Sequence, residues 1–345
     1  MQALRLQQWK QEPELVDVPA PTPGPGEVVV RIGGAGACHS DLHLMHDFEP
    51  GVLPWGPPFT LGHENAGWVD AVGAGVRGVS VGEPVAVYGP WGCGRCKRCR
   101  QGMENYCERQ AEIGPMGGGL GLDGGMASHL LVPDARLLAP LGDLDPVDAA
   151  PLTDAALTPY HAVARARHAL GAGSSTVVIG VGGLGHMAVQ ILQATSPTTI
   201  VAVDQREAAR TTALDIGAAH ALATGPGTAA EIRDLTGGGA DVVLDFVGSD
   251  DSLALAAAVV RPLGELVIVG IAGGVLPVSF FGIAYEASVA TTYWGTYPEL
   301  LEVIALARAG LISVRVQRFG LDHALDAYHA MASGTLDGRA VVVPG

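Results

Sequence analysis

The sequence predicts an α/β protein in which a doubly wound parallel sheet is joined to a second, largely β domain. Three observations carry this. An uncharged run over residues 169–203 reads as strand, glycine turn, helix, strand. Strand and helix patterns keep alternating to about residue 290, as repeated β-α units do. Ahead of residue 152 the apolar runs are short, β-branched and divided by Gly and Pro. A length of 345 residues accommodates both domains, at roughly 150 residues each.

Along the chain, strands are expected over 27–32, 68–72 and 85–88, in a first domain of residues 1–151. The second domain, 152–290, opens with a strand over 176–180, a helix over 186–194 and a strand over 199–203. A helix over 206–216 stops at Gly217, another covers 228–236, and a strand over 241–246 ends at Gly248. Pro262 and Gly264 stop a helix over 251–260, and 266–270 has the apolar character of an interior strand. Helices over 298–309 and 322–332 and a strand over 339–343 are expected to return to the first domain, as residues 291–345.

Hydrophobic residues at 48% against 16% charged supply material for buried cores and exclude a disordered chain. Glycine, at 49 residues, is about twice its usual share of ~7%, which implies many tight turns and close backbone approaches. Lys and Arg number 20 against 35 Asp and Glu, and a net charge of −15 does not suit a phosphate backbone, so nucleic acid is not expected as a partner. The N-terminal residues have no signal-peptide core. The uncharged stretch 266–285 is broken by Gly270, Gly273, Gly274, Pro277 and Gly282, so no membrane span is expected and the protein is read as cytoplasmic.

The cysteines number five, which is odd, so a disulfide framework cannot use them all. Four, Cys93, Cys96, Cys99 and Cys107, have the spacing C-x2-C-x2-C-x7-C, in a lobe of about residues 90–110. Thiolates this close can converge on one tetrahedral zinc at about 2.3 Å. Disulfides are a poor alternative, because adjacent Cys-x-x-Cys bridges in a reducing cytosol are usually redox-active. An iron–sulfur cluster also takes four thiolates. Arg95, Lys97, Arg98 and Arg100 favour zinc, since they offset the negative charge that four thiolates leave around Zn2+. A site with every position filled is structural.

The fifth cysteine, Cys38, read alone, is a small core residue. Further on, His63 lies between Gly62 and Glu64 in the run Gly-His-Glu-Asn-Ala-Gly. Together Cys38 and His63 supply ligands for a second metal, and an open zinc site takes three protein ligands. In the second domain, Gly180, Gly182, Gly183, Leu184 and Gly185 form a G-x-G-x-x-G turn between strand and helix, and Asp204 ends the next strand. The glycines let the backbone approach a pyrophosphate whose charge the helix N-terminus holds. Asp204 would accept ribose hydroxyls and repel a 2′-phosphate, which favours NAD over NADP, whereas Arg206 is placed to contact such a phosphate. Asp204 also reads as a helix N-cap.

Taken in order, Cys38, the Gly-His-Glu-Asn-Ala-Gly run with Gly73 and Val76, the four-cysteine lobe and the glycine turn resemble the zinc-dependent medium-chain alcohol dehydrogenases. The resemblance covers essentially the whole chain, and the stretches 89–96 and 151–162 resemble the bacterial branch that acts on secondary alcohols and ketones. It implies a GroES-like catalytic domain, a Rossmann domain, a cleft between them, and reversible hydride transfer between an alcohol and NAD+ to give a ketone or aldehyde. It implies two zinc ions per chain and a homodimer or homotetramer. Cys38 and His63 would be ligands of the catalytic zinc, with Glu64 behind them and Asp41 orienting His63. Ser40 would take the alcohol proton and pass it through the cofactor ribose to His43. Thr158 would touch the nicotinamide and Arg339 the cofactor phosphates.

One position departs from the family pattern. Where many members have a cysteine as third zinc ligand, this chain has Asp154. A carboxylate keeps the charge sum, and oxygen at about 2.0–2.2 Å is an acceptable zinc donor. The alternatives are that Asp154 caps a helix beginning near Ala155, or that Glu64 is the ligand. Trp55, Tyr293 and Trp294 are candidates for an apolar pocket wall, with packing as the alternative for Tyr293 and Trp294, and His39 is expected to face cofactor or substrate. His129, His161 and His168 read as ordinary surface or core residues. Two other functions fit the motifs. A polyol dehydrogenase of the same superfamily would have a more polar pocket, and a non-catalytic NAD-binding zinc protein would lack Ser40, His43 or a zinc ligand.

Overall fold

In the computed structural model, which describes residues 1–336 and 338–345, the chain divides at Leu157/Thr158 and at Trp294/Gly295. One unit is Met1–Leu157 with Gly295–Arg308 and Val314–Gly345; the other is Thr158–Trp294 with Ala309–Ser313.

The β-branched runs of the second unit assemble into a six-stranded sheet, in the order His220–Leu222, Thr199–Val203, Ser175–Ile179, Ala240–Asp245, Val260–Ile268, Ser288–Thr291. Every pairing is parallel, so the expected doubly wound fold is present. Its strands read as continuous apolar runs because both faces are covered. Val177, Ile179, Val201, Val203, Val243 and Leu266 are all buried in one core. The helices Gly185–Thr195, Glu207–Asp215, Thr228–Thr236 and Asp250–Val259 fall where the sequence placed them.

Two features of this sheet differ from expectation. Pro262 and Gly264 do not separate a helix from a later strand; the strand Val260–Ile268 runs through both. The ladder tolerates them because its register jumps, from Ala240 opposite Val260 to Val242 opposite Glu265. The residues between are looped out, and a proline there has no ladder bond to lose. The edge strands His220–Leu222 and Ser288–Thr291 were not anticipated, being short and only partly buried.

The first unit is built on a seven-stranded sheet containing Leu138–Pro140, Pro84–Val87, Glu64–Val72, Val28–Gly36, Arg339–Val343 and Val316–Gly320, with His129–Val132 also pairing to Val28–Gly36. The expected return of the chain's end is present, since Val341 and Val342 pair antiparallel with Gly36 and Ala35. Gly36 stands opposite Glu64, and a Cβ there would strike the Glu64 side chain, so only glycine lets that carboxylate lie inside the sheet. Gly62, at φ 93°, turns the chain so that His63 and Glu64 enter the strand Glu64–Val72 pointing inward. Among the described residues no helix is long and apolar enough to cross a membrane.

Candidate active site

Four side chains in the first unit converge from distant parts of the chain: Cys38, His63, Glu64 and Asp154, all buried, with donor atoms within 4.8 Å of one another. Cys38 precedes the helix His39–His46, and its N–H donates to Asp41 Oδ2 at 3.0 Å. The N-terminal end of that helix favours a thiolate. His63 lies between two carboxylates. Its Nδ1 lies 3.2 Å from Asp41 Oδ1, and its Nε2 lies 3.7 Å from Asp154 Oδ2. Asp154 Oδ2 is 3.6 Å from Cys38 Sγ. Ser40 Oγ is 3.5 Å from His63 Nε2, on the side away from Asp41.

These distances fit a metal. A tetrahedral zinc with sulfur at about 2.3 Å and nitrogen or oxygen at about 2.0–2.2 Å has ligand–ligand edges of about 3.4–3.6 Å. The Asp41 contact would direct the His63 proton to Nδ1 and leave Nε2 for the ion. Asp154 is not at the N-cap of a helix, because the following helix is Leu157–Arg165 and the residue before it is Ala156.

Arg339 also enters this cluster. Expected at cofactor phosphates, it is buried, with Nε 3.0 Å from Glu64 Oε2, Nη2 bonded to Glu64 Oε1, and Nη2 3.6 Å from Asp154 Oδ2. Burial pushes the Glu64 carboxyl well above the usual range, and Arg339 works against it. The two-point fork needs both carboxylate oxygens free of a proton, so the pair is ionic. Burial also pushes the Cys38 thiol up, but Arg339 and the His63 hydrogen bond outweigh it, and the net direction is down. For His63, burial disfavours the charged form, and Asp41 and Asp154 reverse this and hold it well above the ordinary histidine value. A bound metal would displace that proton.

The four cysteines of the lobe also converge, with Cys93 Sγ 4.0 Å from Cys99 Sγ. Backbone N–H groups point at the sulfurs: Cys96 N at 3.3 Å from Cys93 Sγ, Cys99 N at 3.4 Å from Cys96 Sγ, and Arg109 N at 3.4 Å from Cys107 Sγ. Such donors favour thiolates, and Cys93 is brought down to about 6, first through the Arg95 backbone. Cys99 moves the other way, chiefly because burial raises it. A zinc ion held by four such sulfurs would fit this donor set.

In the second unit, Gly180 has φ 84°, and a Cβ on Gly185 would strike the Gly180 carbonyl, so the turn needs both glycines. Leu184 precedes the helix Gly185–Thr195. Asp204 closes the turn against the next strand. Its Oδ2 accepts from Val181 N at 2.8 Å and its Oδ1 from Arg206 N at 2.8 Å. Arg206 folds back on it, with Nε 3.2 Å from Oδ1.

Comparison with known proteins agrees with both halves. Residues 24–143 match the alcohol dehydrogenase GroES-like domain and residues 183–309 the zinc-binding dehydrogenase family. An NAD-dependent alcohol dehydrogenase from Sulfurisphaera tokodaii is 37% identical, covering 100% of both chains. The chain belongs to the zinc-binding alcohol dehydrogenase family. A D-arabinose 1-dehydrogenase (NADP(+)) from Saccharolobus solfataricus is 32% identical over 99% of this chain and 97% of that one. The crystal structure of the alcohol dehydrogenase of Aeropyrum pernix superposes with a TM-score of 0.92 at 35% identity, covering 100% of both chains.

For this family member the remaining candidates are placed as follows. His43 lies on the same helix as Ser40, is half-buried, and pairs through Nδ1 with Asp47. His39 is exposed. Trp55 sits in an aromatic cluster, 6.0 Å from Trp9 and 5.7 Å from Phe59 by ring centroids, and Phe48 joins it through Trp9. Trp294 is buried and meets Tyr293 edge-on at 6.2 Å. Thr158 is buried. Three residues had no sequence signal. Tyr328 donates to Asp41, and Arg136 pairs with Glu104 and donates to the Gly92 carbonyl at 3.0 Å, fastening the cysteine lobe to the sheet.

Proposed function

We propose that this chain is a zinc- and NAD-dependent alcohol dehydrogenase that moves hydride reversibly between a secondary alcohol and NAD+. The observation that carries the reading is the buried set Cys38, His63 and Asp154, backed by Asp41, in a chain that also has a glycine turn and acidic strand end for a dinucleotide. Bound zinc would supply a Lewis acid that makes an alcohol hydroxyl more acidic, and bound NAD+ would take the hydride. Cys38, His63 and Asp154 hold the catalytic ion, and Asp41 keeps the His63 tautomer. Glu64 stays with Arg339. Ser40, close to His63 Nε2, takes the alcohol proton, and the half-exposed His43 is positioned to hand it to solvent. Cys93, Cys96, Cys99 and Cys107 hold a structural ion. Gly180 to Gly185, Asp204, Arg206 and Thr158 bind the dinucleotide within the unit Thr158–Trp294.

The secondary-alcohol class is supported by the stretches 89–96 and 151–162 and by the apolar character of Trp55 and its neighbours. A second reading, oxidation of a polyol or aldose, is favoured by the D-arabinose 1-dehydrogenase relative. Self-association into a dimer or tetramer is supported by an open sheet edge at Ser288–Thr291 and by Val275, Phe280 and Phe281 in the preceding segment, exposed by 74%, 74% and 86%. A cytoplasmic location is supported by five free cysteines.

The test is a panel of primary alcohols, secondary alcohols, polyols and D-arabinose with NAD+, read by nicotinamide absorbance. Secondary alcohols should be oxidised with the highest kcat/KM. Faster turnover of polyols or arabinose would move the substrate class, and no turnover of any alcohol or ketone would overturn the enzyme reading.

A further inference from the structure

We infer that Tyr328 is a positioning residue for the catalytic metal centre: its hydroxyl fixes the Asp41 carboxylate, which fixes the His63 ring. Tyr328 lies on the helix Ala324–Ala332, 287 residues from Asp41 in sequence, and its Oη donates to Asp41 Oδ2 at 2.9 Å. Both side chains are buried, Asp41 completely.

The arrangement divides the work of the two carboxylate oxygens. Oδ2 takes two donors, the Tyr328 hydroxyl and the Cys38 N–H at 3.0 Å. Oδ1 is left facing His63 Nδ1 at 3.2 Å. Two donors from different directions set the torsion of the carboxylate, whereas one donor lets it swing. A swing of Oδ1 would turn the imidazole and carry Nε2 away from Cys38 and Asp154. The hydroxyl has one proton, and the charged oxygen is a stronger acceptor than its other neighbour, Met126 Sδ at 3.2 Å. Burial, reinforced by the negative Asp41, pushes the phenol well above its ordinary value, so it keeps that proton and stays a donor. A residue selected for packing alone would not need a hydroxyl in this place.

The inference rests on the reading of Cys38, His63 and Asp154 as zinc ligands. The test uses the full-length zinc-loaded protein and Tyr328→Phe, which keeps the ring and removes one oxygen. Groups that orient a metal-bound histidine directly change metal affinity by about 10–100-fold when altered; one step farther out, zinc release from the catalytic site to a chelating dye should quicken by about 3–10-fold. Release from the cysteine lobe should not change. With cobalt(II) in the catalytic site, the visible d–d bands should shift. In an Asp41→Asn background, Tyr328→Phe should add nothing, because the oxygen it acts on no longer carries the charge that orients His63. Wild-type release with unchanged cobalt bands would overturn the inference. So would an equal effect in both backgrounds, which would mean that Tyr328 acts through packing. A wild-type protein that binds zinc in the lobe alone would instead overturn the ligand reading, and the inference with it.

Discussion

Asp154→Asn is the sharpest test of the site. The substitution keeps size and shape and removes one negative charge from a group 3.6 Å from Cys38 Sγ, 3.7 Å from His63 Nε2 and 3.6 Å from Arg339 Nη2. With the thiol ionised, Cys38, Glu64, Asp154 and the neighbouring Asp41 carry four negative charges against the positive charge of Arg339, so a bound Zn2+ sits among an excess of anions. The asparagine variant removes from a buried place one of the negative charges that attract the ion. Removing one partner from a buried ionic pair costs about 3–5 kcal/mol. At about 1.4 kcal/mol per decade, that weakens zinc binding by roughly a hundred- to several-thousand-fold. The assay is zinc content after dialysis against a graded series of chelator, with turnover on a secondary alcohol measured in parallel. One zinc per chain should remain, held by the lobe, and turnover should fall with the other. If the residue only shaped a turn, asparagine would serve as well as aspartate. Two retained zinc ions and near wild-type turnover would refute the assignment and point to Glu64, whose release from Arg339 would then have to be explained.

Three further outcomes follow. Cys96→Ser should lower zinc content by one per chain and open the lobe to protease, because a small loop without its own core depends on the ion; unchanged zinc and unchanged proteolysis would exclude a structural site. Asp204→Gly should shift cofactor preference from NAD+ toward NADP+ by about 1–3 kcal/mol, measured as the ratio of kcat/KM values, since it removes a repulsive charge and a hydrogen-bond acceptor; a wild-type preference for NADP+ would assign the adenosine pocket to Arg206 instead. His323, whose Nδ1 lies 2.9 Å from Asp326 Oδ2, should titrate above the ordinary histidine value of 6.5, chiefly through that hydrogen bond. A raised folded value means that its contribution to stability is present in full below the unfolded pKa and is lost as pH rises through the folded one. An NMR titration should place its midpoint above that of Asp326→Asn, and equal midpoints would exclude the contact.

What was legible in the sequence was local. The parallel sheet showed because each strand is buried on both faces and reads as an uninterrupted apolar run, as at Ser175–Ile179 and Thr199–Val203. The four-cysteine lobe showed because all its ligands lie in one short stretch, where spacing alone determines whether thiolates can meet. The looped-out residues 261–264 did not show, because a proline reads as a stop unless its partner strand is known to skip the same place. The pairing of Arg339 with Glu64 did not show for a related reason. An arginine near a chain's end has the chemistry for a phosphate, and nothing nearby in sequence says that it lies opposite a buried glutamate.

The cluster of Cys38, His63, Glu64 and Asp154 is assembled on this kind of long-range contact. Cys38 and His63 come from one end of the chain, Asp154 from the end of the first stretch of its unit, and both groups that fasten the centre from outside come from the last segment. The Arg339 fork to Glu64 spans 275 residues and the Tyr328 bond to Asp41 spans 287. The strand Arg339–Val343 makes this possible, because its pairing beside Gly36 sets Arg339 against Glu64. The helix Ala324–Ala332 packs on the same strand and on the helix that follows Cys38. Closing the sheet therefore completes the surroundings of the donor set: until the last strand is in place, Glu64 is a carboxylate without its guanidinium, and Asp41 lacks one of its two Oδ2 donors. The cysteine lobe depends on such contacts less, since its four cysteines lie close together in sequence, between residues 93 and 107. A chain that has not yet docked its C-terminal segment should consequently lose the catalytic zinc to a chelator before the lobe's.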